Sequence, residues 1–527
     1  MRPFGVLILA GLVAPVLTCA WIGVDGRCDV SIVLEEEGRE VPGLIRFEDA
    51  GGGAVAPGGL LSRGLGLEEK HAANRWFVLP GPSRARLPRE KLVAVAFHGL
   101  ETDLSRVEVD LSGREQAALR IPLRRFARER ERGWTGANTH LHLKDIPREE
   151  ADRYLRDVPR ADGLDALFVS YLERADADRG YISNRYTESD LAALSAQAGV
   201  LFGNGEEHRH NFTGFGEGFG HVMFLNIHRL IHPVSIGPGI MKKGSDGLPL
   251  QKGIDEARRD GATVLWCHNT FGLEDIPNWV TGRPHAQNIF DGEPGTHGNY
   301  KDTFYRYLNA GLRVPFSTGT DWFIYDFSRV YAAVKEPRAP RDWLGVLEAG
   351  RTYITNGPLL ELDVAGEAPG GTLRLDRGRL VSIKFRAIGR TDFGRAELVM
   401  NGKVFATAHS VAEGGHFGAN AEVGTELSEP CWIALRTPPP PTKEEPNEKH
   451  PMTELGGPLF SHTSAVQVEV AGKRVFDAEA VRGLLEEVRR SRATVEKAAV
   501  FADDHERGHV LEVYAVAIRV LEGLLKR

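Results

Sequence analysis

The sequence predicts an α/β protein whose core of alternating strands and helices is flanked on each side by a β-sandwich and followed by a helical tail. Three observations predict it. Short alternating apolar stretches fill the chain before about residue 130 and again after residue 358. Between them, strand-like runs alternate with helix-like ones, the pattern of parallel strands joined by crossovers in a barrel or open sheet. The final segment carries apolar residues at helical spacing. At 527 residues the chain is long enough for three domains of ordinary size.

Residues 1–20 differ in kind from the rest. Arg2 precedes an apolar run from Phe4 to Leu17, and Thr18-Cys19-Ala20 places small residues where a signal peptidase reads them. The run is shorter than the roughly 20 residues a membrane span needs. A signal peptide cleaved after Ala20 is therefore expected, with an exported product, periplasmic or extracellular. An anchored form, uncleaved or lipid-attached at Cys19, is the alternative. No later segment is apolar enough to cross a bilayer, so no membrane contact is expected beyond the leader.

Residues 21–130 read as an N-terminal β-sandwich. Val30-Ser31-Ile32-Val33 and Leu92-Val93-Ala94-Val95-Ala96 are strands, and Gly51-Gly52-Gly53 is a loop between them. The grammar changes after the basic stretch Arg124 to Arg132. Within 131–357, strands are expected at 165–169, 200–202, 221–225, 262–266 and 313–316. Helices are expected at 188–197, opened by Thr187 with Asp190 three residues on, at 254–259, and at 300–309, ended by Gly311. Alternation returns at 371–375 and 379–383, predicting a second sandwich over 358–475 with an exposed Pro- and charge-rich excursion from Pro438 to Asn447. Residues 476–527 read as helical, with Val481, Leu484, Leu485 and Val488 on one face. No solenoid repeat is present.

Composition excludes some functions. A formal net charge of −7 supplies no basic footprint, so no nucleic-acid partner is expected. Removal of the leader leaves Cys28, Cys267 and Cys431, an odd set without Cys-x-x-Cys spacing, which implies no disulfide framework. Cys267, inside an apolar run, reads as a small buried hydrophobe.

Asn138-Thr139-His140-Leu141-His142 is the sharpest local feature. Alternate side chains of a strand share a face, so both imidazoles can reach one metal ion. Further candidates fall beside other strands: Glu207 in Gly205-Glu206-Glu207-His208, His221 after a glycine-rich loop, His268 after Val264-Leu265-Trp266-Cys267, and Asp321 after the Val314 strand. In a parallel α/β barrel the strand C-termini converge on one face, where ligands from distant segments meet. Imidazole and carboxylate together suit Zn first, with Mn or Fe as alternatives, rather than Ca or Mg.

These residues carry a resemblance. The order His140-x-His142, Gly205-Glu206-Glu207, Gly220-His221, His268-Asn269 and Asp321 resembles the PHP (polymerase and histidinol phosphatase) superfamily of metallohydrolases, and within it the carbaryl-hydrolase-like branch. Supporting phrases are Phe304-Tyr305-Arg306-Tyr307-Leu308-Asn309 and Arg351-Thr352-Tyr353-Ile354-Thr355-Asn356-Gly357-Pro358. The likeness covers roughly Trp134 to Leu375. It implies a distorted (β/α)7 barrel whose metal ions activate water against a phosphoester or carbamate-type bond. Two of the family's usual ligands are missing: its second motif here reads Ser170-Tyr171-Leu172-Glu173, and its closing motif Asp321-Trp322-Phe323. Glu173, His208 and His210 are candidate stand-ins, and one or two divalent ions are expected rather than three.

On this resemblance His140, His142 and Asp321 would hold the first ion, Glu207 would bridge, and His221 and His268 would hold a second. Glu206 competes with Glu207, since only one of two adjacent side chains in an extended segment points inward. His210 and Asn269 are candidate substrate contacts, and the glycine-rich segment Asn211 to Gly220 a candidate flap. The function implied is an exported hydrolase acting on a phosphoester, carbamate or ester-type bond of a small-molecule or polymer-derived substrate. A non-catalytic binding or structural protein with a vestigial metal site is the alternative.

Overall fold

The computed structural model describes residues 26–174, 178–212, 215–268, 272–291, 304–443 and 445–526. The signal-peptide expectation for residues 1–20 and the candidate Asn269 lie outside them. Among the described residues no helix is long and apolar enough to cross a membrane.

The first region is two stacked sheets. One contains strands Arg27–Glu36, Arg39–Val41, Ser83–Pro88 and Gln116–Leu123; the other is built on Gly43–Glu48, Phe77–Leu79, Lys91–Phe97 and Ser105–Asp110. Strand 27–36 alternates as the sequence predicts, burying Cys28, Val30, Ile32 and Leu34 against Ile45, Phe47, Ala94 and Ala96 of the second sheet. Each fully buried Leu, Ile or Phe contributes roughly 1.5–3 kcal/mol. The outer face of the second sheet, with Leu44, Val95 and Phe97, joins the cluster that contains Tyr154, Leu155 and Val158 of the first core helix. The sandwich is thereby mortared to the core.

The core strands are β1 (Thr135–His142), β2 (Ala166–Tyr171), β3 (Leu201–Phe212), β4 (Phe215–Leu225), β5 (Thr263–Cys267), β6 (Ala286–Asn288) and β7 (Phe316–Ser317). β1, β2 and β3 run parallel, and so do β5, β6 and β7. β4 runs against both of its neighbours, pairing Gly205 with Leu225 on β3 and His221 with Cys267 on β5. The purely parallel arrangement expected from the alternation is thus interrupted by a β3–β4 hairpin, and His221 lies within a strand rather than at its start. Segment 211–220, expected as a flap, belongs to that hairpin, apart from residues 213–214, which lie outside the described set. After β7 the chain returns to β1: Thr139 N–H donates to Thr318 O (3.4 Å), and Thr320 N–H donates to His140 O (3.0 Å).

Helices α1 (Arg148–Ala161), α2 (Glu188–Ala198) and α3 (Leu250–Arg259) form where apolar residues recur at helical spacing. α1 buries Ala151, Tyr154, Leu155 and Val158, while α3 buries Leu250, Ile254 and Ala257. α2 opens with a reciprocal Thr187–Asp190 capping box and ends at Gly199 in the left-handed conformation. Of the helix expected over 300–309, residues 304–309 are described, and Arg306–Asn309 are α-helical.

The C-terminal region is again strand-rich, but one of its layers is continuous with the core. Strand Thr352–Thr355 pairs with Arg329–Ala332 on one edge and with Ser461–Thr463 on the other, so hydrogen bonding runs unbroken between the two regions. A separate sheet of Leu359–Val364, Arg379–Gly389, Phe417–Leu427 and Val411–Ala412 shares a hydrophobic cluster with it. The tail is a helix pair, α4 (Ala478–Ala498) and α5 (Asp504–Leu524), with Val481, Leu484, Leu485 and Val488 buried as their spacing predicts. It packs on the core, sharing a cluster with Trp279 and Tyr307.

Candidate metal centre

The His140 and His142 rings project to the same side of β1, both fully buried, with their Nε2 atoms 2.9 Å apart. The reason for this pose lies at the opposite ring nitrogens. His142 Nδ1–H donates to the carbonyl oxygen of Ser170 (2.9 Å), and His140 Nδ1–H donates to Asp291 Oδ2 (2.7 Å). A carbonyl or ionised carboxylate only accepts, so each neutral ring presents its Nε2 lone pair to the other. Two lone pairs at that separation repel unless a cation lies between them, either a proton or a metal ion.

Two carboxylates complete the group. Glu207 Oε2 is 3.2 Å from His142 Nε2; Asp321 Oδ1 is 3.5 Å from His140 Nε2 and 3.7 Å from His142 Nε2. Ligand atoms of His140, His142, Glu207 and Asp321 all lie within 4.8 Å of one another and can hold a metal ion. The fit is supported by Asp321 Oδ1 and Asp291 Oδ1, buried carboxylate oxygens with no hydrogen-bond partner among the described residues. Asp321 has a left-handed backbone (φ +56°), a conformation Asp tolerates better than most residues, and it follows closely on Gly319. A Cβ on Gly319 would sit 2.5 Å from His140 Cβ and 2.7 Å from its backbone nitrogen, so only glycine lets this segment approach β1 so closely.

A second triad adjoins the first through Glu207, whose Oε1 is 3.2 Å from His221 Nδ1 and 3.6 Å from His268 Nε2. Arg209, two residues along β3, meets the same two residues at their other atoms: its Nη2 donates to His221 Nε2 (3.0 Å) and its Nη1 is 3.5 Å from Glu207 Oε2. Burial pushes the Glu207 carboxyl up, but Arg209 and hydrogen bonds from His142, His221 and His268 outweigh it and hold Glu207 well below the usual carboxylate range. Burial likewise opposes charge on the histidines. Asp291 and Asp321 nevertheless raise His140, and Glu207, Asp291 and Asp321 raise His268 to about 10. These carboxylates therefore favour positive charge on the His140 and His268 imidazoles.

The structure brings His140, His142, Glu207, His221, His268 and Asp321 together. It also separates Glu207 from Glu206, which lies on the opposite face of β3 and accepts from Ile231 N–H and pairs with His208 Nδ1. His210, expected at the substrate, also faces away. Its Nε2 meets Asp246 Oδ1 at 3.0 Å, its Nδ1 accepts from Phe219 N–H, and its ring stacks on Phe219. Asp246 in turn exchanges two backbone-anchored bonds with Val500, so His210 is a strut toward the α4–α5 junction. The stand-ins Glu173 and His208 do not join the cluster; Asp291 does, a residue the sequence reading missed. It lies three residues past β6, a strand too short and polar to show periodicity, though an Asp at a strand's end is the usual signal.

Cys267 Sγ also lies near His140 and Asp291. Burial, reinforced by Asp291, Glu207 and Asp321, pushes its thiol well above the usual range, so it remains a neutral hydrophobe as expected. The most exposed ligands are Asp321 and His268, with 18% and 11% of their side-chain surface accessible, which fixes the open side of the site. Trp322 walls it there, its ring 5.0 Å from His142 and 5.4 Å from Tyr181.

No protein-family model matches the chain, and no curated protein matches it. Among solved structures, the chain is aligned with an engineered protein at TM-score 0.15 and 11% identity, covering 60% of this chain and 51% of that one. It is aligned with a beta-glucuronidase of Parabacteroides merdae at TM-score 0.16 and 10% identity, covering 81% and 60%. The chain thus spans between about half and three fifths of those proteins' lengths, and likeness at that level carries no argument about fold or activity.

Proposed function

We propose that the protein is an exported metal-dependent hydrolase with a PHP-type barrel, acting on a phosphoester, carbamate or ester-type bond. The observation that carries the proposal is the opposed pair of Nε2 lone pairs on His140 and His142, with both Nδ1–H groups already committed elsewhere. The barrel reading is supported by the path β1-β2-β3-β4-β5-β6-β7 and the return of segment 318–320 to β1. Export is supported by the leader pattern from Arg2 to Ala20.

His140, His142, Glu207 and Asp321 would hold the ion, and imidazole with carboxylate favours zinc, then manganese or iron. A divalent ion there supplies Lewis acidity, lowering the pKa of water toward neutrality and polarising the scissile group. Asp291 and the Ser170 carbonyl fix the tautomers and orientations of the two imidazoles. Asp321 and Trp322, on the side with accessible surface, meet the substrate first.

Elemental analysis of the purified protein tests the site. About one ion or more per chain is expected, and the His140→Ala variant should lose it; equal metal in both refutes the assignment. Turnover on a panel of phosphoester, carbamate and ester substrates should be abolished by a chelator and restored by zinc. Metal binding with no turnover on any member would replace hydrolysis with a binding role. The exported chain should begin at Trp21, and an intact Met1 on the mature protein would refute cleavage.

A further inference from the structure

Arg209 lies beside the triad in which a second ion would be expected, against His221 Nε2 and Glu207 Oε2 rather than the facing atoms Nδ1 and Oε1. A guanidinium has donors and no acceptor, so its 3.0 Å contact makes His221 Nε2 an acceptor. In a neutral imidazole the proton must then reside on Nδ1, the atom that faces Glu207 Oε1 at 3.2 Å. Nδ1 is also the atom His221 would offer to an ion in this triad, and a protonated nitrogen is not a ligand. Charge leads to the same place. The Arg209 guanidinium, 3.5 Å from Glu207 Oε2, already brings positive charge to the carboxylate that a second ion would share. A second divalent ion there would face that like charge in a site whose His140, His142 and Asp291 side chains are fully buried.

Arg209 is held for this task. It projects from the same face of β3 as Glu207, with 12% of its side chain accessible. Its Nε is buried and has no hydrogen-bond partner among the described residues. We infer that the Arg209 guanidinium replaces the second ion, bridging Glu207 and His221, so that the centre takes one divalent ion where its ligand set would otherwise take two. This rests on the metal-site reading above.

The test is zinc stoichiometry by equilibrium dialysis at buffered free zinc followed by elemental analysis, with circular dichroism and thermal melting to verify folding. The wild type should bind one ion per chain. Arg209→Met, which keeps an apolar stem and removes the charge, should bind two, and adding His221→Ala should return it to one. Arg209→Lys, which retains the charge, should stay at one and is the reference should the methionine variant melt early. Two ions in the wild type overturn the inference and leave the metal site standing. So does a folded Arg209→Met that stays at one. No ion in the wild type overturns the metal site itself.

Discussion

His140 is a useful ligand only while something holds its Nδ1 proton, and that something is Asp291 at 2.7 Å. Asn288 Nδ2–H donates to the same carboxylate oxygen at 2.9 Å and fixes it in turn. Asp291→Asn would keep the shape and replace the ionised acceptor with a weaker, neutral one. Zinc affinity should fall about 10–100-fold, measured by competition with a chromophoric chelator, and the metal-free protein should also melt lower because a buried charge pair is lost. Protons supply a second prediction. The carboxylates Asp291 and Asp321 raise His140 against its burial, so they favour on this ligand a proton that an ion must displace. Zinc binding should release at least one proton per ion, and affinity should rise with pH between about 6 and 9. Calorimetry in two buffers of different ionisation enthalpy reads the number; zero would show that the nitrogens are not where metal binds. The His-x-His pair was legible because alternate strand residues share a face, and Glu207 because one of two adjacent carboxylates had to point inward. Asp291 was not, because Gln287 and Asn288 give its strand no apolar signature.

Among the elements, the return segment after β7 is held close against β1. Its glycine is a contact requirement: a methyl group at 319 meets both Cβ and backbone nitrogen of His140 at less than 3 Å. Gly319→Ala should displace Asp321 from the imidazoles and cost roughly 1–3 kcal/mol of stability. Chemical denaturation and zinc titration check it together; a variant with wild-type stability and affinity would contradict the close approach. The alternation of strands and helices was readable in order, down to the Thr187 cap on α2. The β3–β4 hairpin was not. Glycines at 216, 218 and 220 look like a loop, yet the pairing of His210 with Gly220 and Arg209 with His221 makes the segment a strand. Depletion of glycine in strands is a packing preference that tertiary pairing overrides. That reversal also places His221 in mid-strand, opposite Arg209, a juxtaposition sequence order alone cannot show.

At the scale of the whole molecule, Arg63 ties the N-terminal sandwich to the segment that follows Asp321. Arg63 is fully buried and pairs with Asp162, the C-terminal cap of α1, at 2.7 Å. Its guanidinium also donates to the carbonyl oxygens of Ile324 and Asp326, just beyond Asp321. Arg63→Ala leaves a buried carboxylate unpaired and should cost about 3–5 kcal/mol. It should also weaken zinc binding although Arg63 is no ligand, because the 321–326 segment loses one of its anchors. Thermal melts with and without zinc separate the two effects, and an unchanged zinc affinity would refute the anchoring role. The tail has a comparable tie, from His210 through Asp246 to Val500. Such long-range pairs leave no mark on local spacing, which is why His210 reads in sequence as a site residue and proves to be a strut.

Anomalous diffraction at the zinc edge from crystals of the zinc-loaded protein tests the metal centre most directly. One peak is expected, about 2.0–2.1 Å from Nε2 of both His140 and His142, with Glu207 and Asp321 oxygens beside it and none against His221 Nδ1. A map with no peak between the two Nε2 atoms, or with zinc only at surface histidines, would contradict it.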